Sequence, residues 1–178
     1  MKYALGERIR RLFEDPFEKM REAGAASGLK VADVGAGKGF FTVAAAELVG
    51  EGGLVFAVEP DPDRMRMIRR RCDEARLTNV RFLEKKAEEM NQIDAESLDL
   101  VFSMYALHHF ESLERGLSEI RRILKPGGRF YVVDIMKGRI FRHGSKRRDL
   151  EVLAASGFAK FEILGLGRRL KARLTKQS

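Results

Sequence analysis

Glycine occupies positions 35, 37 and 39, directly after Asp33, in the stretch VADVGAGKGFFT. Positions without a Cβ let a backbone turn sharply and let a ligand approach it closely. The helix-like segment that follows offers unpaired N–H groups and the positive end of a dipole. Three ligand chemistries compete for such a loop. A phosphate loop requires Gly, four residues, then Gly-Lys-Ser/Thr; here Ala32 stands in the first glycine position and Gly39 where the hydroxyl residue belongs. Asp33 would also set a carboxylate beside a triphosphate. A dinucleotide loop requires Gly-x-Gly-x-x-Gly; Gly35 and Gly37 fit, but the third glycine position holds the bulky Phe40. The third ligand is an adenosine joined to a zwitterionic amino acid, without phosphate, for which Asp33 is an asset because a carboxylate can engage an ammonium.

A second constellation is the histidine pair His108 and His109 in ALHHF. A neutral imidazole can take a proton from an oxygen or carbon acid. Two adjacent side chains do not readily face one pocket, and His108 is the expected functional member. Tyr105 is an alternative polar contact. His143, Arg139, Arg142, Lys146, Arg147 and Arg148 follow in one short stretch and could clamp an anionic substrate. The lone cysteine, Cys72, sits among arginines in a helical pattern and is expected to be inert.

The elements that must position these residues alternate strand with helix five times. Residues 7–23 read as helix interrupted near Pro16. Short apolar runs at 31–34, 54–58, 80–83, 98–103 and 129–135 read as strands, and the unbroken LVFAV at 54–58 suits a strand covered on both faces. Helical patterns occupy 38–49, 61–76, 112–124 and 145–156, the third closed by the Lys-Pro-Gly-Gly at 125–128. Residues 158–165 and 168–176 read as an antiparallel pair. Phe40 and Phe41 are expected in the core. This order predicts an α/β fold: a mostly parallel sheet with helices on both faces. Ligands of such sheets sit beyond the carboxyl ends of the strands, where the glycine loop lies.

The chain has 178 residues, a common size for one domain, so 1–178 is expected to form a single domain with a helical N-terminal segment over 1–27. One cysteine excludes disulfide frameworks, cysteine-rich metal sites and two-thiol mechanisms. No metal is expected. No apolar run is long enough to span a membrane, and residues 1–11 carry charge throughout without a secretory pattern, so a cytoplasmic protein is expected. The net charge is +8, yet residues 137–178 alone hold 12 basic and 3 acidic side chains. Such a field attracts anions, RNA among them.

The motifs, taken in order, resemble those of the class I S-adenosylmethionine-dependent methyltransferases, in particular the small, quinone-type and small-metabolite branch. VADVGAGKGFFT resembles the first motif and VFAVEPDPDRM the second; VRFLEKKAEEM, LDLVFSMYALHHF and LKPGGRFYVVD resemble the later segments. The resemblance implies a seven-stranded Rossmann-like sheet ending in an antiparallel hairpin, with S-adenosylmethionine as cofactor. It implies cofactor contacts at Asp33, Gly35, Ala36, Gly37 and Gly39. It places Glu59 on the ribose hydroxyls, followed by Pro60, with Asp61 and Pro62 as a wall for the adenine. Lys86 stands where many members carry an adenine-binding Asp, with Ala87 beside it and Glu84 or Glu88 as substitute carboxylates. Ser103 and Met104 complete the implied cofactor set, and His108 is the implied catalytic residue. The expected acceptor is a small molecule, for which the basic stretch favours an anionic one; the alternative is RNA or another polyanion. The chain lacks the Asn-Pro-Pro-Tyr signature of amino-group methylation.

Overall fold

The computed structural model describes residues 14–135, 146–167 and 169–178, the first four of the middle block by backbone alone. The apolar runs become strands β1 (Lys30–Val34), β2 (Leu54–Val58), β3 (Val80–Leu83), β4 (Leu98–Met104) and β5 (Leu124–Ile135), followed by β6 (Lys160–Leu166) and β7 (Arg169–Thr175). They form one seven-stranded sheet in the order β3-β2-β1-β4-β5-β7-β6. The first five strands run parallel, and β7 pairs antiparallel with both β5 and β6. This is the expected Rossmann-like sheet with its closing hairpin.

Alternation along the strands decides which helix covers which face. Val31, Val55, Leu100, Phe102 and Tyr131 pack against α1 (Pro16–Ala23) and α2 (Phe40–Val49). Ala57 on the same face meets Met65, Ile68 and Cys72 of α3 (Pro62–Glu74). Ala32, Val34, Phe56, Val101 and Phe130 face the other way, toward Leu117 and Ile120 of α4 (Leu113–Ile123) and Leu153 of α5 (Lys146–Ala155). Helix α2 is apolar almost all round and is buried almost all round. Burying one such large apolar side chain is worth about 1.5–3 kcal/mol, and this packing fixes α2 behind the glycine loop.

Local chemistry sets the helix starts. Pro16 does not interrupt a helix but begins one: it occupies the first turn of α1, and the Asp15 carboxylate accepts the Phe17 N–H at 2.9 Å. The remainder of the expected 7–23 helix lies outside the described residues. Asp61 and Pro62 repeat the arrangement for α3, with Asp61 accepting from the N–H groups of Asp63 and Arg64 at 2.8 and 3.1 Å. Caps of this kind contribute about 1 kcal/mol each.

Residues 84–97, between β3 and β4, where the sequence shows no helical pattern, contain no helix. They are mostly polar, and their fully buried anchors are Met90 and Ile93, too few for the apolar stripe a helix needs. Strand β5 begins at Leu124, not at 129, because its pairing with β4 jumps from Leu98↔Leu124 to Leu100↔Arg129 and residues 125–128 loop outward at that slip.

The described cations of the hairpin are paired within the chain. On β7, Leu170, Ala172 and Leu174 are buried on the α4–α5 face. Arg169, Lys171 and Arg173 alternate with them and reach the N-terminal segment. Lys171 pairs with the Glu22 carboxylate, Arg173 donates to the Glu22 carbonyl at 3.3 Å, and Arg169 donates to the Tyr105 hydroxyl at 2.8 Å. Lys176 pairs with Glu96 at 3.0 Å and Lys160 with Glu162 at 2.9 Å.

Candidate active site

Strands β1, β2 and β4 end at one edge of the sheet, and each delivers a polar or backbone group there. Asp33, the penultimate residue of β1, is 1% exposed. Its Oδ2 accepts the Thr42 hydroxyl of α2 at 2.7 Å, while Oδ1 is buried without a hydrogen-bond partner. Desolvation pushes the carboxyl up to about 7; the Thr42 hydrogen bond opposes this and the nearby Glu59 charge adds to it. A buried acceptor left unmatched is costly in a folded protein, and here it sits where an ammonium would satisfy it.

Glu59 ends β2 and is 3% exposed. Its Oε2 accepts the Gly37 N–H at 2.8 Å and its Oε1 the Asp61 N–H at 3.2 Å. Arg64 approaches Oε1 at 3.8 Å. A carboxylate has about four lone-pair sites, so capacity for two hydroxyl donors remains.

The loop between them is shaped by two glycines. A Cβ on Gly35 would stand 2.3 Å from the Ala106 Cβ, so this glycine lets the loops after β1 and β4 touch. Gly37 has φ +57°, and nothing lies within 4 Å of where its Cβ would be. That open space belongs to a cavity of about 550 Å³, within the range of small-ligand sites. Asp33, Gly35, Ala36, Gly37, Glu59 and Pro60 line one part of it; Lys86, Ala87 and Met104 line another.

Pro62, Glu84 and three further expected residues are absent from the wall. Gly39 caps α2 and packs toward Ile68, and Ser103 is fully buried within β4. His108 turns its ring to Asp134 at the end of β5: Nδ1 lies 2.7 Å from Oδ1, and the His108 backbone N–H donates to Oδ2 at 3.0 Å. The hydrogen bond to Asp134 raises the His108 pKa above its ordinary value, against an opposing effect of burial. His109 lines the cavity instead, its ring 4.1 Å from that of His108 between centroids. Tyr105 also lines it, with φ +61° and its hydroxyl held by Glu14 and Arg169. Phe40 and Phe41 are core residues, as expected, and wall residues as well.

Some positions at the candidate site were not foreseen. Asp134 could have been, since an acid ends β5 in RFYVVDI just as Asp33 and Glu59 end β1 and β2. Glu111 lines the cavity and carries no sequence signal of its own. His143, Arg139 and Arg142 lie outside the described residues, as do the side chains of Lys146, Arg147 and Arg148. Among the described residues no group of three or more metal-ligating side chains occurs. Burial pushes the Cys72 thiol up to about 11, which keeps it protonated and unreactive.

The loop's own hydrogen bonds distinguish the three ligand chemistries. A phosphate cradle needs free N–H groups converging on the anion. Here the N–H groups of Gly35 and Ala36 donate to the Val58 carbonyl at 2.9 and 3.0 Å, Gly37 donates to Glu59, and Gly39 donates to the Ala36 carbonyl at 2.9 Å. Two buried carboxylates face the same space. The loop therefore lacks a phosphate cradle's converging N–H groups at Gly35, Ala36, Gly37 and Gly39, and its carboxylates fit an ammonium and a diol. In agreement, residues 32–132 match the family model described as a methyltransferase domain.

The chain belongs to that methyltransferase family. The methyltransferase chain is 32% identical over 138 residues to a probable cobalt-precorrin-6B C(15)-methyltransferase (decarboxylating) from Sulfurisphaera tokodaii, covering 73% of this chain and 69% of that protein. It is 31% identical over 116 residues to the ubiquinone/menaquinone biosynthesis C-methyltransferase UbiE of Azotobacter vinelandii, covering 65% of this chain and less than half, 46%, of that relative. The fold matches the crystal structure of a SAM-dependent methyltransferase from Aquifex aeolicus with a TM-score of 0.78 at 20% identity, over 97% of this chain and 99% of that one. The orphaned Asp33 Oδ1 and the open space at Gly37 fit the ammonium and the bulk of S-adenosylmethionine, the cofactor expected from the sequence.

Proposed function

We propose that this methyltransferase passes the methyl group to a small-molecule acceptor entering beside Tyr105 and His109. The observation that carries the reading is the pair of buried carboxylates, Asp33 and Glu59, at one cavity whose glycine loop spends the N–H groups of Gly35, Ala36, Gly37 and Gly39 internally.

S-adenosylmethionine, when bound, supplies an electrophilic methyl on a sulfonium and a thioether leaving group. Such a transfer is an in-line displacement, so the protein's task is position and electrostatics. Asp33 would hold the ammonium and Glu59 the ribose hydroxyls, fixing the cofactor from two strand ends. Gly35, Ala36 and Gly37 give it room, and Pro60 and Ala87 border the base. Met104 and Tyr105 lie at the end of β4, on the way to the acceptor. There Tyr105 and His109 are the polar side chains that can orient an acceptor or take its proton. His108, anchored twice by Asp134, would act as a positioning residue behind His109.

An anionic acceptor is supported by the basic stretch at 137–148 in the sequence. The polyanion alternative is not favoured. The described cations of the hairpin, Lys160, Arg169, Lys171, Arg173 and Lys176, are all engaged by acids, carbonyls or Tyr105 of the same chain. No helix among the described residues is long and apolar enough to cross a membrane.

The experiment is transfer of a labelled methyl from S-adenosylmethionine into a cell extract, separated into low-mass and RNA fractions. Label is expected in the low-mass fraction and lost with Glu59→Ala. Label confined to RNA overturns the small-molecule reading.

A further inference from the structure

Tyr105 directly follows β4 and has φ +61°. Among the described residues two other non-glycine residues have positive φ, Arg76 and Glu96, and both are exposed in turns. Tyr105 instead lines the cavity. A left-handed conformation is uncommon for a bulky residue and persists only where the surroundings hold it. The contacts that hold Tyr105 therefore bear on the site.

They come from several parts of the chain. The Tyr105 N–H donates to the Val133 carbonyl of β5 at 2.6 Å. The ring meets that of Phe41, in the first turn of α2, at 6.4 Å between centroids. The hydroxyl donates to the Glu14 carboxylate, just before α1, and accepts from the Arg169 guanidinium of β7 at 2.8 Å. That guanidinium also lies 5.1 Å from the Tyr105 ring centroid and 3.6 Å from Glu14 Oε1. Glu14 is 9% exposed. A carboxylate so far from water needs hydrogen-bonded or charged partners, and Tyr105 and Arg169 are among them. Hydrogen bonds to ionised groups are the stronger kind, and the Tyr105 hydroxyl has one on each side. Glu14 and Arg169 stand 91 and 64 residues from Tyr105, so no local motif announces the clamp.

The turn held in this way carries the acceptor side of the cavity. Ala106 comes next and packs its Cβ where Gly35 has none. The 3-10 turn Leu107–His109 follows, with His108 fixed to Asp134 and His109 in the wall. Asp33 and Glu59 belong to other strands and are held by other partners, Thr42, Gly37 and Asp61.

We propose that Glu14 and Arg169 are positioning residues for methyl transfer: one from the segment before α1 and one from β7, they clamp the Tyr105 hydroxyl and so fix the wall against which the acceptor lies. Loosening the clamp then costs transfer more than cofactor affinity. This rests on the small-molecule reading of the site.

The test runs transfer of a labelled methyl from saturating S-adenosylmethionine into the low-mass fraction of a cell extract, beside S-adenosylhomocysteine calorimetry and thermal melts on the same full-length variants. Tyr105→Phe keeps the ring and loses both hydroxyl contacts. It is expected to bind S-adenosylhomocysteine within about threefold of wild type and to transfer about tenfold more slowly, the scale of one hydrogen bond to a charged group. Arg169→Met is expected to shift both readings in the same direction, and Arg169→Lys, which keeps a charged donor, to recover most of the rate. A purely structural role would lower the melt without separating rate from affinity. Transfer by Tyr105→Phe at the wild-type rate overturns the proposal, as does a loss of cofactor affinity as large as the loss of rate. Label that enters RNA alone removes the small-molecule reading, and the same comparison of rates on the RNA fraction then decides the clamp. A wild-type protein that labels no fraction overturns both.

Discussion

The Gly37 N–H donates to the Glu59 carboxylate at 2.8 Å, joining the loop after β1 to the end of β2. One carboxylate thus shapes the loop and lines the cavity. This coupling makes ligand affinity and loop order parts of the same property, and it makes the consequences of changing either residue separable by measurement.

Glu59→Ala removes the acceptor for Gly37 and Asp61 and leaves their N–H groups without it. An unsatisfied buried donor costs about 1–3 kcal/mol, which for a chain of this size corresponds to a fall of several degrees in Tm. The lost hydroxyl contacts add to the loss in binding. Calorimetry is expected to show S-adenosylhomocysteine affinity reduced about a hundredfold, and a melt the smaller drop in stability. Glu59→Gln, which keeps one acceptor oxygen, falls between. Unchanged affinity in Glu59→Ala would refute the ribose role.

Asp33 predicts a pH effect in the opposite direction for binding and for stability. Its carboxyl is raised to about 7 from an ordinary value of 3.8, chiefly by burial. The folded protein therefore holds this proton more tightly than the unfolded chain. The resulting stabilisation is full below about 4 and is lost as pH rises through about 7. Ammonium binding needs the carboxylate, so cofactor affinity rises over the same upper range. Asp33→Asn is expected to raise the apo Tm at pH 8 relative to wild type, with little gain at pH 4, while abolishing the pH dependence of binding and most of the affinity. Melts at pH 4 and 8 and calorimetry at pH 6 and 8 check both halves.

The stability contributed by the His108–Asp134 contact is likewise lost as pH rises, but a favourable pairing is its source. Hydrogen bonding to Asp134 raises the His108 pKa above 6.5. Its contribution is complete below 6.5 and disappears as pH passes the raised value. Asp134→Asn is expected to lower the Tm by a few degrees at pH 6 and by less at pH 9, on the scale of a charge-assisted hydrogen bond of about 1–2 kcal/mol. Since the contact sets the ring behind His109, turnover is expected to fall more than cofactor affinity. Equal melts at both pH values would remove the ion-pair account.

Much of this site was legible in the residues because its parts are local. The spacing of Gly35, Gly37 and Gly39 and the mismatch at Phe40 excluded two ligand classes before any fold was known. The carboxylate at the end of the LVFAV run stands out by position alone. What could not be read depends on contacts distant in sequence. Asp134 and His108 meet across 26 residues and Lys86 and Glu111 across 25. Adjacent His108 and His109 diverge because Asp134 claims one ring, a fact no local pattern contains. The segment 84–97 defeats alternation for a similar reason: Met90 and Ile93 anchor it through tertiary burial without a helical period.

Gly35 and Gly37 give the sharpest separation of fold from function. Both have positive φ, at 78° and 57°, so an alanine at either pays a left-handed penalty of about 1–2 kcal/mol. At Gly35 the new methyl would also collide with the Ala106 Cβ at 2.3 Å. Gly35→Ala is therefore expected to lose several kcal/mol, with a large fall in Tm or failure to accumulate folded protein. At Gly37 the methyl meets nothing within 4 Å and projects into open space at the cavity wall. Gly37→Ala is expected to stay folded with a Tm only a few degrees lower, yet to lose cofactor affinity by about tenfold or more because the methyl takes up room the ligand needs. Parallel melts and calorimetry on the two variants decide the matter. If Gly37→Ala binds S-adenosylhomocysteine as the wild type does, the ligand does not pass over that loop.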